Sequence, residues 1–247
     1  MNRVFIIIPA RYNSKRFPGK PLALICGKPM IQHVYERASM CKDVEDVYVA
    51  TDSRDIACCV EGFGGKAVMT SKDHRSGTDR IFEAGSILGL SAEDIVVNVQ
   101  GDQPVFDPAV IPLLVKALHE KEDISMSTLM HTISSEEDIS NPNCVKVITD
   151  KEGCAIYFSR SVIPYSRDKK KITYYKHIGI YAYKMEFLKT FTQLPEGRLE
   201  KIEKLEQLRA IENGYKIKVV QSPFDSVEVD VPEDIKKVTR IICPDSP

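Results

Sequence analysis

The sequence predicts an α/β fold: a doubly wound, mostly parallel, Rossmann-like sheet with an inserted antiparallel lobe. Three observations predict it. Short continuous runs of β-branched apolar residues recur through the first hundred residues, as strands buried on both faces of a parallel sheet require. Segments with helical periodicity separate them, and that alternation implies right-handed βαβ crossovers. The middle of the chain breaks the alternation with a hairpin pattern, and this marks the lobe.

The elements follow in order. Val4 to Ile8 is the first buried strand. Pro29 opens a helix whose apolar positions Met30, Ile31, Val34 and Ala38 share one face. Val47 to Ala50 is a second strand, and Ile56, Ala57, Val60 and Phe63 mark a helix stopped by Gly64-Gly65. Ala67 to Met69 is a third strand, Ile81, Phe82, Gly85 and Leu88 a further helix, and Ile95 to Val99 a fourth strand. Val145 to Thr149 and Ala155 to Phe158 flank the turn Asp150-Lys151-Glu152-Gly153. A basic loop, Arg167-Asp168-Lys169-Lys170-Lys171, leads to a strand from Ile178 to Tyr183. One long amphipathic helix is expected over Leu199 to Asn213, capped by Gly214, followed by two short strands. Pro232-Glu233-Asp234 is the acidic first turn of a last helix. The whole is expected as a single domain, 1–247, with about 140–195 as the lobe and as a dimer-contact arm.

Composition narrows the function. The 247 residues carry 34 Lys+Arg against 35 Asp+Glu, a net charge of -1, and this excludes a generic electrostatic nucleic-acid binder. With 43% hydrophobic residues the chain is not disordered. The early apolar run is far shorter than the ~18–20 residues of a membrane span, so no membrane partner is expected. The seven cysteines are scattered, with no Cys-x-x-Cys or Cys/His ligand spacing. Neither a zinc site nor a disulfide framework is expected, and a cytoplasmic location fits.

The loop after the first strand, Pro9 to Lys20, carries Arg11, Lys15, Arg16, Gly19 and Lys20. Ligands of open α/β sheets bind beyond the carboxyl ends of the strands, where this loop lies. Arg and Lys there could wrap a polyphosphate, although neither the Walker nor the dinucleotide glycine pattern is present. The bland alternative is a solvated basic loop. Asp102 follows the fourth strand in Gln100-Gly101-Asp102-Gln103-Pro104, and Asp230 stands before Pro232-Glu233-Asp234. By itself Asp230 reads as a helix cap. Together, two strand-end aspartates and a basic loop suit metal-assisted nucleotidyl transfer, with the carboxylates on Mg²⁺ and the cations on the triphosphate.

In this order the segments Ile8-Pro9-Ala10-Arg11-Tyr12, Pro18-Gly19-Lys20-Pro21-Leu22, Ala50-Thr51-Asp52, Ser76-Gly77-Thr78-Asp79-Arg80, Gln100-Gly101-Asp102, Tyr157-Phe158-Ser159-Arg160, His177-Ile178-Gly179-Ile180-Tyr181 and Leu205-Glu206-Gln207-Leu208-Arg209 resemble the 3-deoxy-manno-octulosonate (Kdo) cytidylyltransferase family, the CMP-Kdo synthetases. The resemblance runs nearly end to end. It implies a homodimeric nucleotidyltransferase that joins CTP and a sugar acid into CMP-sugar and pyrophosphate with Mg²⁺, for lipopolysaccharide or capsule. Carried over by position, Arg11, Arg16 and Lys20 would hold the triphosphate, and Asp102 and Asp230 the metal. Ala10, Met69, Ser76, Gly77 and Gln100 would surround the cytidine. Arg80, Arg160, His177, Tyr181, Glu206 and Gln207 would form the sugar pocket.

Without the resemblance, His177 is an ordinary core histidine, Glu206 a surface charge, and Cys58-Cys59 simple packing. One departure matters: the family's usual Glu-Pro after the metal aspartate is here Gln103-Pro104. Removing that carboxylate changes local charge by one unit and leaves the sugar open between Kdo, an amino analogue and another 2-keto-3-deoxy sugar acid. An acylneuraminate-type cytidylyltransferase and a non-catalytic nucleotide-sugar sensor stay open as rivals.

Overall fold

The computed structural model describes residues 2–13, 17–168 and 170–244. Its strands are β1 (Val4–Ala10), β2 (Leu24–Ile25), β3 (Lys28–Pro29), β4 (Asp46–Thr51), β5 (Ala67–Met69), β6 (Ile95–Asn98), β7 (Ile124–Thr132), β8 (Lys146–Thr149), β9 (Ala155–Ser159), β10 (Tyr175–Lys184) and β11 (Lys216–Gln221). Its helices are α1 (Met30–Ala38), α2 (Arg54–Gly62), α3 (Gly77–Ile87), α4 (Val110–Leu118), α5 (Glu136–Ser140), α6 (Met185–Gln193), α7 (Arg198–Glu203), α8 (Leu208–Glu212) and α9 (Asp234–Ile242).

The main sheet runs β11-β7-β10-β6-β1-β4-β5. Strands β6, β1, β4 and β5 are parallel, as expected, and β11 is parallel to β7. β10 is antiparallel to both β6 and β7 and also carries the β8–β9 hairpin. The fold is therefore mixed α/β with a mostly parallel centre and an antiparallel branch. β1 shows why the sheet is doubly wound: Ile6 and Ile8 pack with α1, α2 and α4, while Ile7 packs with α3, α6 and α8. Period-2 alternation sends neighbours to opposite layers.

Register explains the functional edge. Ala10, Thr51 and Met69 end adjacent strands in step, and Asn98 ends β6 beside them. Tyr181 pairs with Asn98, so the antiparallel β10 runs past the end of β6 and carries its earlier residues over the sheet's carboxyl edge.

Three expectations are corrected. The helix over Leu199 to Asn213 is two helices, α7 and α8, broken at Lys204, whose left-handed backbone (φ 54°, ψ 47°) no α-helix can continue. The break is held by a buried bidentate pair, Arg209 Nε and Nη2 to Glu200 at 2.8 and 2.6 Å. Among the described residues one strand, β11, follows. Residues 222–230 turn away to the site instead, through Ser222 N to the Met130 carbonyl (2.7 Å) and Val229 N to the Asp102 carbonyl (2.9 Å). Finally, Cys26 and Cys243 form a disulfide across a sequence separation of 217. Ile25, Met30, Val229 and Val238 make one apolar cluster that brings α9 against the β2–β3 hairpin, so packing and not spacing pairs these sulfurs. Elements β7, α4, α5 and α6 were not anticipated.

Candidate active site

The phosphate-type loop is built by its ends. Gly19, at φ 70°, donates its N–H to the Tyr12 carbonyl (2.9 Å), and the short 3-10 turn Lys20–Leu22 follows at once. This returns Lys20 to the strand ends. Its Nζ donates to Asp102 Oδ2 at 2.5 Å and to the Val229 carbonyl at 2.9 Å. Gly101 lets the loop after β6 lie on β1, since a Cβ there would sit 3.0 Å from the Pro9 carbonyl oxygen. One lysine thus ties three segments that are distant in sequence.

Eight expected residues, Ala10, Arg11, Lys20, Ser76, Gly77, Arg80, Gln100 and Asp102, line one cavity of about 530 Å³. Arg80, placed by the resemblance in the sugar pocket, lines this cavity as well. It is buried, with Nη1 on Thr70 Oγ1 (2.6 Å) and Nη2 near Asp52 Oδ2 (3.2 Å). Asn13, His74 and Arg75 line the cavity too and were not expected. Their signal was available as a second basic run, Lys72 to Arg75, between a strand and a helix at the sheet's ligand edge. His74 Nε2 is fixed by Glu83 at 2.5 Å, and that partner holds Glu83 below its ordinary range despite partial burial. Ser76 caps α3 by accepting from Asp79 N. Met69 ends β5 and is exposed. Arg16 lies outside the described residues.

The expected sugar residues form a neighbouring group. His177 and Tyr181 stand on β10 with ring centroids 5.3 Å apart, and Phe158 packs edge-on to His177. Burial pushes the His177 imidazole down to about 3, so it is neutral at physiological pH. Thr128 Oγ1 lies 3.0 Å from His177 Nε2 and 2.9 Å from the Ile180 carbonyl, which holds the ring in place from β7. Glu206 accepts from Thr78 Oγ1 (2.5 Å) at the start of α3, which joins this group to the cavity. Burial raises the Glu206 carboxyl, opposed by hydrogen bonds from Thr78 and Ser76 and by Arg209. Burial, with Glu206 nearby, also pushes the Tyr181 and Tyr183 phenols up. The break at Lys204 is what delivers Glu206 and Gln207 here. Among the described residues, Glu206 Oε1 and Gln207 Nε2 are buried without a hydrogen-bond partner. Unpaired buried polar atoms of this kind cost stability unless a ligand completes them. Arg160 is tied by Nε to the Glu203 carbonyl (2.7 Å) and by Nη1 to the Pro142 carbonyl (2.9 Å).

Two acids behave differently from expectation. Asp230 is not the cap of the last helix: Asp234 Oδ2 accepts from the N–H of both Asp230 and Val231. Glu228, two residues earlier, was missed. It accepts from Gln103 Nε2 at 2.8 Å, and desolvation by the surrounding protein, then the like charges of Asp102 and Asp230, push its carboxyl up to about 7. A carboxyl group therefore stands hydrogen-bonded to residue 103, on Glu228, although residue 103 itself carries none. Only the two-residue spacing from Asp230 could have drawn notice to it.

No helix among the described residues is long and apolar enough to cross a membrane. A family model described as Cytidylyltransferase matches residues 5–217. An 8-amino-3,8-dideoxy-manno-octulosonate cytidylyltransferase of Shewanella pealeana is 58% identical, over 94% of this chain and 96% of its own length. A 3-deoxy-manno-octulosonate cytidylyltransferase of Syntrophus aciditrophicus is 55% identical, over 98% of both. A solved CMP:2-keto-3-deoxy-manno-octonic acid synthetase complexed with CTP superposes with TM-score 0.93 at 42% identity, covering 99% of this chain and 100% of that one.

Proposed function

This chain belongs to the cytidylyltransferase family, and from its site we propose that it transfers CMP from CTP to a 2-keto-3-deoxy sugar acid, Kdo or its 8-amino analogue, activating it for bacterial surface polysaccharide. One observation carries this reading. The basic, strand-end cavity of Arg11, Lys20 and Asp102 is joined, through the Thr78–Glu206 hydrogen bond at the start of α3, to a second group, His177, Tyr181, Glu206 and Gln207, in which buried Glu206 Oε1 and Gln207 Nε2 without hydrogen bonds suit a hydroxyl-rich ligand.

In the transfer, the sugar's anomeric hydroxyl attacks the α-phosphorus, the α–β P–O bond breaks and pyrophosphate leaves. Arg11 and Lys20 hold the triphosphate and stabilise charge as it moves toward the leaving group. Ser76, Gly77 and Gln100 surround the nucleoside. Neutral His177 and the polar side chains of Gln207 and Glu206 orient the sugar. Asp102 and Asp230 would hold Mg²⁺, and their hard carboxylate oxygens fit it. Among the described residues no three carboxylate, histidine or cysteine side chains converge into a cage. Mg²⁺ is commonly held by one or two carboxylates plus substrate phosphates. When bound, it neutralises triphosphate charge.

A pyrophosphate-release assay with CTP and a panel of sugar acids tests the reading. Release with Kdo or its 8-amino analogue supports it. Release only with acylneuraminates, or with none, overturns it.

A further inference from the structure

The Gln103–Glu228 pair sits on the sugar side of the site. Gly179 lies on β10 between His177 and Tyr181, and a Cβ there would be 3.6 Å from Glu228 Oε1 and 3.7 Å from Gln103 Nε2. The Gln103–Glu228 pair thus packs against the bare backbone of Gly179, on the strand that carries His177 and Tyr181. Gln103 Nε2 pins Oε1 at 2.8 Å, whereas Glu228 Oε2 accepts no hydrogen bond among the described residues. Gln103 Oε1 is likewise buried and unpartnered.

The pairing needs an amide at 103. A carboxylate there would offer no proton to Glu228 and would set two like charges together. The nearby cation, Lys20, is spent on Asp102 and the Val229 carbonyl. The pair therefore sets the Glu228 carboxylate, an acceptor that no lysine or arginine among the described residues bonds, beside this stretch of β10. The ligand group complementary to such an acceptor is an ammonium, which brings three donors and a positive charge, and not a hydroxyl, which brings one donor.

We propose that Glu228, positioned by Gln103, selects a sugar acid bearing a primary amine over its hydroxyl counterpart. This rests on the sugar-acid cytidylyltransferase reading above and decides between the two sugars it allows.

The test is kcat/KM for pyrophosphate release at saturating CTP, with 8-amino-3,8-dideoxy-manno-octulosonate and with 3-deoxy-manno-octulosonate, for wild type and Glu228→Gln. Wild type is expected to favour the amino sugar at least about tenfold, the scale of one charge-assisted hydrogen bond. In Glu228→Gln that ratio should fall by about ten- to a hundredfold. The ratio is independent of how much of the variant folds. Equal use of both sugars by wild type, or an unchanged ratio in Glu228→Gln, overturns the inference while leaving the cytidylyltransferase reading intact. Release with neither sugar overturns both.

Discussion

At the residue scale the acids and the histidine make separable predictions. Asp102 holds Lys20 and, on the proposed reading, would hold Mg²⁺ against the triphosphate, so Asp102→Asn would remove charge stabilisation needed in the transfer itself. Steady-state kinetics should show kcat lower by about 10²–10³, with a smaller change in CTP affinity. Wild-type turnover would remove Asp102 from the machinery. His177 titrates abnormally. Its folded pKa, about 3, lies below the ordinary 6.5. Below pH 6.5 the unfolded chain takes a proton that the folded chain refuses, so stability falls as pH drops from 6.5 toward 3. Between pH 6.5 and 5 the loss should be of the order of 1–2 kcal/mol. In urea unfolding, His177→Gln should flatten that slope. Strand-end position marked Asp102 and the loop that carries Lys20, whereas His177 stood out only through the family resemblance. Both missed Glu228 because nothing local distinguishes an acid in a turn that folds back 125 residues to meet Gln103.

At the element scale the important feature is the break between α7 and α8. Apolar periodicity reads through 199–213 as one helix, since propensity does not register a single left-handed residue. The tertiary reason is the pull of Glu206 and Gln207 into the site and the Glu200–Arg209 pair that closes the corner. Removing one partner of a buried pair strands the other charge. Arg209→Met should therefore cost about 3–5 kcal/mol in urea unfolding and weaken sugar binding more than CTP binding. Loss of less than about 1 kcal/mol would mean that the corner holds without the pair. The same limit explains β7: its sequence Ile124–Thr132 mixes Ser, Thr and His into a strand that tertiary pairing with β10 and β11 specifies.

At the scale of the whole molecule, the parallel half was legible from β-branched runs and the antiparallel half was not. A parallel, doubly buried strand announces itself by composition, while β10 takes its place only through pairing with β6 and β7. That placement carries His177 past the end of β6, with Tyr181 opposite its last residue, and so sets the proposed sugar side near the proposed nucleotide cavity. The cavity's cytidine side should prefer a pyrimidine: competition assays should show CTP used far better than ATP or GTP. Equal use of ATP would retain the nucleotidyltransferase fold and reject the cytidylyl reading.

The central claim is that two adjoining compartments divide the substrates, triphosphate on Arg11, Lys20 and Asp102, sugar on His177, Tyr181, Glu206 and Gln207. Gln207 tests it most directly, because its buried Nε2 has no partner among the described residues. Gln207→Met keeps the volume and removes a donor that only a ligand would complete. The measurement is the pair of KM values in pyrophosphate release, with thermal melting as a companion. The prediction is a sugar KM raised about three- to tenfold, a CTP KM unchanged and a melting temperature that does not fall. A raised CTP KM with an unchanged sugar KM would contradict the division.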